Sequence, residues 1–490
     1  LEPSRSPAAE TKPEKVFWFF FSKKNCLLVF FVDYLLERSP AMTAEKAYRI
    51  DLFSLKTPQM RAFHLTWMAF FVCFFAWFAV APLMPVIKGD LKLTPDQIAN
   101  INIAAVAVTI LVRMAVGPLC GKYGPRITYT LMLALGAIPV IGIGFAHSYE
   151  SFLAFRLAIG AIGASFVITQ FHTSVMFAPN VVGTANATVG GWGNAGGGVT
   201  QSVMPLILAA IVSLGVQQAL GWRLAMIVPG VMMLILAVLY WRYTQDTPEG
   251  NIPALRKRGI TVECGKEGGW KVFKAACVNY RVWMLAITYG ASFGVELFIH
   301  GVAASYYVDR FGLTLESAGL AAGSFGLLAL FARALGGIAS DRVARSFGLG
   351  GRTVLLFLLM AGEGIGLLAF STMGNVTLAV VAMLSFGLFT HMACGSIYAV
   401  MPFVDRKALG GVAGIIGAGG NIGGVAAGFL LKATGNLPDA LFALGCIVLV
   451  SAFCGLAVRF SAAQKEAEQI LYDEAVAQRA RSGAGAAVTA

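Results

Sequence analysis

Two arginines, Arg113 and Arg333, stand inside stretches apolar enough to lie in lipid, 103–119 and 320–338, and each is followed four residues later by a glycine, Gly117 and Gly337. An arginine at the centre of a membrane helix costs about 2.5–3.5 kcal/mol even on insertion scales, and is retained mainly where it faces a cavity or a partner. Arginine keeps its charge at any working pH and presents a planar fork of donors that matches an oxyanion, so two forks on one cavity make a small anion site. The competing arrangement gives each arginine its own buried acid, although neither stretch holds an Asp or Glu in its core.

Glu296 and His300 lie four residues apart in a third apolar stretch, on one helical face, where they could pass a proton or simply hydrogen-bond to each other. Arg156, in FRLAIGAIG, reads as a structural or coupling residue, and Glu363, His172 and His391 are further ionisable groups in apolar surroundings. Walker A, nucleophile-elbow and HExxH patterns are all missing, so no catalytic residue is assigned and the energy for any transport must come from a gradient or from exchange. Eight cysteines occur singly with no CxxC, which argues for neither a disulfide framework nor zinc; no metal or cofactor is expected.

The elements that must position these groups are membrane helices. Hydrophobic residues make up 57% of the chain and charged residues 13%, and the mean hydropathy is +0.73, which excludes a water-soluble fold. About 20 apolar residues cross the bilayer core as a helix. Twelve such stretches are read at 65–87, 97–120, 127–146, 152–177, 184–213, 222–241, 282–307, 318–340, 353–372, 376–401, 410–431 and 441–460. Loops after even-numbered spans carry Lys122, Arg126, Arg342, Arg345, Arg352, Arg406 and Lys407, and the central loop adds six more basic residues. Loops after odd-numbered spans have only Lys88, Lys92, Arg223, Arg310 and Lys432, so the positive-inside rule makes both termini and the central loop cytoplasmic. The net charge of +12 then follows from topology without a nucleic-acid partner.

The expected organisation is a cytoplasmic N-terminal segment (1–61), a six-helix bundle (62–241), a linker (242–281), a second six-helix bundle (282–460) and a cytoplasmic tail (461–490). The linker and tail are polar and should tolerate change. In 1–41, two short apolar runs are split by Lys23, Lys24 and Asn25, and neither is long enough to span; translation is expected to begin at Met42, the alternative being an interfacial segment.

An offset of 220 superimposes Arg333 on Arg113, Gly337 on Gly117 and Asp341-Arg342 on Gly121-Lys122. In the fifth and eleventh spans, GGWGNAGGG (190–198) matches GAGGNIGGV (417–425), which brings Asn194 onto Asn421. Gly191, Gly193, Gly196, Gly197, Gly419, Gly420, Gly423 and Gly424 in these runs permit close helix crossing, and the two asparagines add an amide at the centre. Two six-helix halves with equivalent polar residues are the pattern of a carrier whose site lies at mid-membrane between its repeats. Tyr289 and Phe293 share a face one turn apart on the seventh span, and Phe166 follows Gly160 and Gly163 on the fourth; core packing is the plainer account of any single aromatic.

On the arginine pair, the repeat and the glycine runs, the chain resembles the nitrate/nitrite porter family of the major facilitator superfamily, over about 61–460. YGASFGVEL (289–297) is similar to assimilatory members, and GPLCGKYGPR (117–126) resembles the superfamily's loop motif, with Gly121 where an aspartate is usual; the second copy, GIASDR (337–342), keeps it. The resemblance implies an all-α membrane protein of twelve transmembrane helices in two pseudo-symmetric six-helix bundles. It further implies that Arg113 and Arg333 clamp the anion, that Tyr289 and Asn194 add hydrogen bonds, and that Phe166 and Phe293 sandwich its flat faces; Phe75 on the first span is a weaker match.

The expected activity is therefore nitrate uptake, with nitrite as a further substrate, for assimilation across a bacterial inner membrane, by a monomer working as a proton symporter or a nitrate/nitrite antiporter. Glu296 and His300 are the sites for any proton, with Arg156 as a further coupling candidate. An organophosphate or carboxylate antiporter and a nitrate sensor that binds without transport are the alternatives.

Overall fold

The computed structural model describes residues 45–260, 269–313 and 315–488. The segment 1–41, with its proposed start at Met42, lies outside them, as do Cys26 and Cys264. Among the described residues the regular secondary structure is helical, apart from isolated bridges such as Ala47 to Phe177, and six cysteines are free.

Among the described residues, eleven elements are long and apolar enough to cross a membrane, and one of them, Leu320–Ser371, contains 52 residues. At 1.5 Å per residue a straight helix of that length would be more than twice the thickness of a bilayer core. It turns back at Gly348, whose φ of 59° and ψ of −153° are open to glycine but strained for other residues. Arg352 Nη1 reaches the Asp341 carboxylate eleven residues earlier, at 2.7 Å, as only a reversed chain allows. The crossings therefore number twelve: α1 (Pro58–Phe78), α2 (Pro95–Tyr123), α3 (Pro125–Gly142), α4 (Tyr149–Met176), α5 (Val182–Ser213), α6 (Gln218–Tyr243), α7 (Tyr280–Phe311), α8 (320–347), α9 (349–371), α10 (Val376–Val400), α11 (Leu409–Thr434) and α12 (Leu437–Ala457). Local sequence sets the ends. Thr94 and Gln97 form a reciprocal capping box at α2, Asn375 and Asn436 cap α10 and α12, and Gly124 (φ 89°) followed by Pro125 ends α2 and starts α3.

The glycine runs determine which helices touch. In α5, Gly193 lies on Phe70, Gly196 on the Phe71 main chain and Gly197 on Phe78, all of α1, while Gly191 lies against Ala329 and Arg333 of α8. In α11, Gly419 lies on Ala286, Gly420 on the Tyr289 and Phe293 rings, Gly423 on Gly290 and Gly424 on Leu297, all of α7. Between the halves, a methyl group at Gly117 would strike the Gly410 carbonyl, and one at Gly337 would strike Gly183 and Ala187. These α2–α11 and α5–α8 crossings hold together the ends of the helices nearest the linker. At the second crossing Asp341 accepts from the backbone N–H and the hydroxyl of Thr184, both at 2.7 Å, at the start of α5, where the helix dipole favours an anion.

Near Gly121, which stands where the loop motif usually has its acid, a distant residue takes up the capping. Asp246, just past α6, accepts from Arg126 N at the start of α3 (2.8 Å) and from Ile252 N of the short helix Ile252–Lys257 (2.9 Å). Arg256 of that helix donates to the last α2 carbonyls, Lys122 O (2.6 Å) and Gly121 O (2.8 Å). The linker and tail thus differ from the tolerant polar segments expected. Ile252, Leu255, Phe273 and Ala276 of the linker are buried, and Gly411 of α11 packs on Phe273 and Ala276. In the tail helix Ala462–Val488, Tyr472 and Ala475 are buried and Glu468 is bidentate to Arg406. Their polar composition reflects one wet face, and the other face is docked.

Burial pushes the Asp246 carboxyl up to about 6, against the N–H groups of Arg126 and Ile252, which favour the carboxylate. This exceeds the ordinary aspartate value of about 4, so its contribution to linker docking is complete below that value and is lost as pH rises through 6. A cysteine placed at Leu255 should become more accessible to a thiol reagent between pH 5 and 7.5, after correction for thiol ionisation, and Asp246→Asn should flatten the change. A pH-independent labelling rate in the parent would contradict this account.

Candidate functional site

Arg113 and Arg333 are both completely buried, and both converge on one ring. Their guanidinium carbons lie 5.6 and 5.9 Å from the centroid of Phe293. The first half supplies Arg113 from α2 and the second supplies Arg333 from α8, so the site sits between the two repeats.

Arg113 has no carboxylate partner among the described residues. Its Nε and Nη2 donate to Gly163 O at 3.2 and 3.0 Å, and its Nη1 donates to Gly417 O of α11, across the two halves. Gly163 lies in a 3-10 stretch, Ala161–Ala164, that interrupts α4, and the changed hydrogen-bond register leaves a main-chain carbonyl to accept from a side chain. Gly417 has no Cβ where Phe166 and the Arg113 side chain pass. Carbonyl dipoles solvate this guanidinium without cancelling its charge.

Arg333 is different. Its Nη2 is ion-paired to Glu296 Oε2 of α7, its Nη1 donates to Tyr398 Oη of α10 at 3.0 Å, and its Nε donates to His391 Nδ1 at 3.4 Å. His391 Nε2 lies 3.1 Å from Phe325 O, which assigns the ring proton to Nε2 and leaves Nδ1 as the acceptor for Arg333. Asn194 Nδ2 of α5 donates to the other Glu296 oxygen at 2.9 Å, so that acid is held from both halves. His300 Nε2 stands 4.0 Å from Glu296 Oε1, and its side chain is 24% exposed, the most open group of the cluster. The arrangement with a private acid is thus the one Arg333 adopts, and Arg113 does not share it.

Aromatic rings line the space between. Tyr289 stacks on Phe166 (5.4 Å between centroids, 15° between planes) and on Phe293 (5.0 Å, 3°), and its hydroxyl lies 2.9 Å from Tyr398 Oη. The two phenylalanines therefore face Tyr289 and do not face each other across an open slot as the sandwich expectation had it. Arg113 also lies over Phe166, at 5.2 Å, a cation–π geometry worth roughly 0.5–2 kcal/mol where water is excluded.

Three sequence candidates fall elsewhere. Phe75 stacks with Phe71 at 6.4 Å and meets neither guanidinium. Arg156 donates to Trp77 O at 3.0 Å and joins none of the groups around Glu296. Asn421 donates to Val106 O of α2 at 3.4 Å, a contact between halves as for Asn194 but to main chain. Conversely, Tyr398 and the carbonyls of Gly163 and Gly417 belong to the site without having been picked out. Tyr398 shares a face with His391 and Cys394 in an otherwise apolar span, a spacing that was legible; carbonyl acceptors leave no mark in a side-chain pattern. No group of metal-ligating side chains occurs among the described residues.

A twelve-helix fold with its charged centre between two repeats defines a major facilitator, a transporter and not an enzyme, and the Major Facilitator Superfamily profile matches residues 66–428. The chain belongs to the nitrate/nitrite porter family of that superfamily. It is 40% identical over 386 residues to the high affinity nitrate transporter 2.5 of Arabidopsis thaliana, covering 79% of this chain and 76% of that one. It is 27% identical to the nitrate/nitrite transporter NrtP of Nostoc punctiforme, covering 82% and 92%. Among solved structures, the proton:xylose symporter XylE superimposes with a TM-score of 0.62 at 14% identity, over 81% of this chain and 94% of that one, a likeness of fold.

Breaking a buried ion pair strands a charge, at a cost of about 3–5 kcal/mol. Glu296→Ala and Arg333→Ala should each destabilise the detergent-solubilised protein on that scale, and the double variant should lose less than the sum. Denaturant unfolding of all four proteins measures the coupling, and additive losses would mean that the pair contributes no shared energy.

Proposed function

We propose that the protein carries nitrate, and nitrite as a further substrate, by alternating access, with a proton moving alongside. The observation that carries this reading is the unequal treatment of two otherwise equivalent arginines: Arg113 is solvated by carbonyls and keeps its charge, while Arg333 is neutralised by Glu296. An arriving anion is attracted by the first and must compete with Glu296 for the second. Protonating Glu296 removes that competitor. His300, beside it and partly exposed, is the route by which the proton arrives. Proton and anion then bind together, which is symport; nitrate/nitrite exchange would leave Glu296 without this role.

The names of the relatives support the substrate, and so does the lining of Phe166, Tyr289, Phe293 and Tyr398. Such a surface accepts a flat monovalent oxyanion with weak hydration and opposes a strongly hydrated divalent phosphate. The basic loops support a cytoplasmic linker and termini. Plant, algal and cyanobacterial relatives give no preference for a bacterial inner membrane, so the proposed location is the cell membrane in general. Because one chain supplies both guanidinium groups, a monomer suffices, and assimilation is the physiological role proposed.

Isotopic nitrate flux into proteoliposomes tests the reading. Uptake should rise with external acidity, compete with nitrite and resist phosphate and dicarboxylates. Binding without flux would indicate a sensor, and phosphate competition an organophosphate antiporter. Arg113→Lys keeps the charge but loses the fork, and should reduce uptake by about tenfold or more; near-normal uptake would count against the clamp. Glu296→Gln should remove the acceleration by external acid, and persistence of that acceleration would exclude Glu296 from the proton route.

A further inference from the structure

A second carboxyl lies in the core of the second half, and the scheme above does not use it. Glu363 of α9 has no exposed surface. Its Oε2 accepts from Ser292 Oγ of α7 at 2.7 Å, and its Oε1 has no hydrogen-bond partner. No lysine, arginine or histidine forms an ion pair with it among the described residues. The groups around it are Ser292 and Glu296 on α7 and Thr390 and Cys394 on α10, and Glu296 is itself paired with Arg333 of α8 and lies 3.6 Å from His391 Nδ1. From α12 the neighbours of adjacent Gly364 are Leu449 and Gly445, which cannot titrate.

A carboxylate held there with only the Ser292 and Thr390 hydroxyls beside it would be an unpaired charge in an apolar bundle, disfavoured relative to its neutral form. A carboxylic acid fits, since it is neutral and its hydroxyl can donate to Ser292. Ser292 is one helical turn before Glu296 on the same face of α7, so the two acids meet the same turn of the same helix. An ionisable residue kept at this depth with an oxygen unsatisfied is by default functional.

We infer that Glu363 is a second proton-binding site of the carrier, loaded and unloaded once per transport cycle beside Glu296 through the Ser292 turn. The step is proton binding and release alone: the carboxyl gains a proton in the state open to the acidic side and yields it to water in the state open to the other. This inference rests on the proton-coupled reading above, and adds one proton to each anion carried.

One pH unit is worth a factor of ten per coupled proton. With an inside-alkaline gradient of one unit and the membrane potential clamped by potassium and valinomycin, Glu363→Gln should accumulate about tenfold less nitrate than the parent at steady state. Glutamine resembles the neutral acid, so nitrate–nitrate counterflow, which needs no proton, should persist. Equal accumulation in variant and parent would overturn the inference. Parallel loss of counterflow and accumulation would also overturn it, by showing that Glu363 only supports the fold. Should Glu363→Gln not fold, Ser292→Ala is read in the same assays, with reduced accumulation and intact counterflow expected. If the parent itself carries nitrate without responding to the gradient, proton coupling fails as a whole. If it carries no nitrate, the substrate assignment fails.

Discussion

Charge without water is the constraint on which the architecture depends. The centre of the protein holds two permanent cations and, against Arg333 alone, one acid, Glu296. An isolated buried charge is expensive, so every donor of the two forks needs an acceptor. For Arg333 the acceptors are side chains: Glu296, Tyr398 and His391. For Arg113 they are main-chain oxygens, at Gly163 and Gly417. This difference leaves the centre electropositive at one end and ion-paired at the other.

Main-chain oxygens serve as acceptors only where a helix is locally irregular or a neighbour comes close. The 3-10 turn at Ala161–Ala164 provides the first condition, and glycine provides the second. Gly417 and Gly420 leave room for Phe166, Arg113, Tyr289 and Phe293, and Gly395 lies against the main chain of Arg333 itself. The same small residues that let the two halves cross at Gly117–Gly410 and Gly183–Gly337 also let the charged centre be compact. Close crossing and a compact charged centre are here two consequences of one composition.

The ends of the helices near the linker show how a repeat diverges once its geometry is fixed. In the second half the motif aspartate, Asp341, caps α5 of the first half and is held by Arg352. In the first half the corresponding position is Gly121, and Asp246 and Arg256 of the linker cap α3 and the end of α2 instead. Orphan amides and carbonyls at helix ends require partners, but the partner's position in the chain is free.

The twelve crossings, the twofold repeat and the list of buried ionisable residues were legible in the sequence, because lipid imposes a composition and a length that soluble folds do not. So was the correspondence of Arg113 with Arg333 and of Asn194 with Asn421, which the repeat carries, whereas Tyr289, Phe166 and Phe293 were named through the family resemblance and Glu296 only as a proton candidate. Which acid pairs with which arginine was not, because Glu296 lies 37 residues from Arg333 on a different helix and the separation between their side chains depends on how α7 packs on α8. The carbonyls that hold Arg113, the place of Tyr398, the departure of Phe75 and Arg156 from the site and the docking of the linker were likewise decided by tertiary structure. Residue type states what a group can bond, and only packing brings it within three ångströms of a partner.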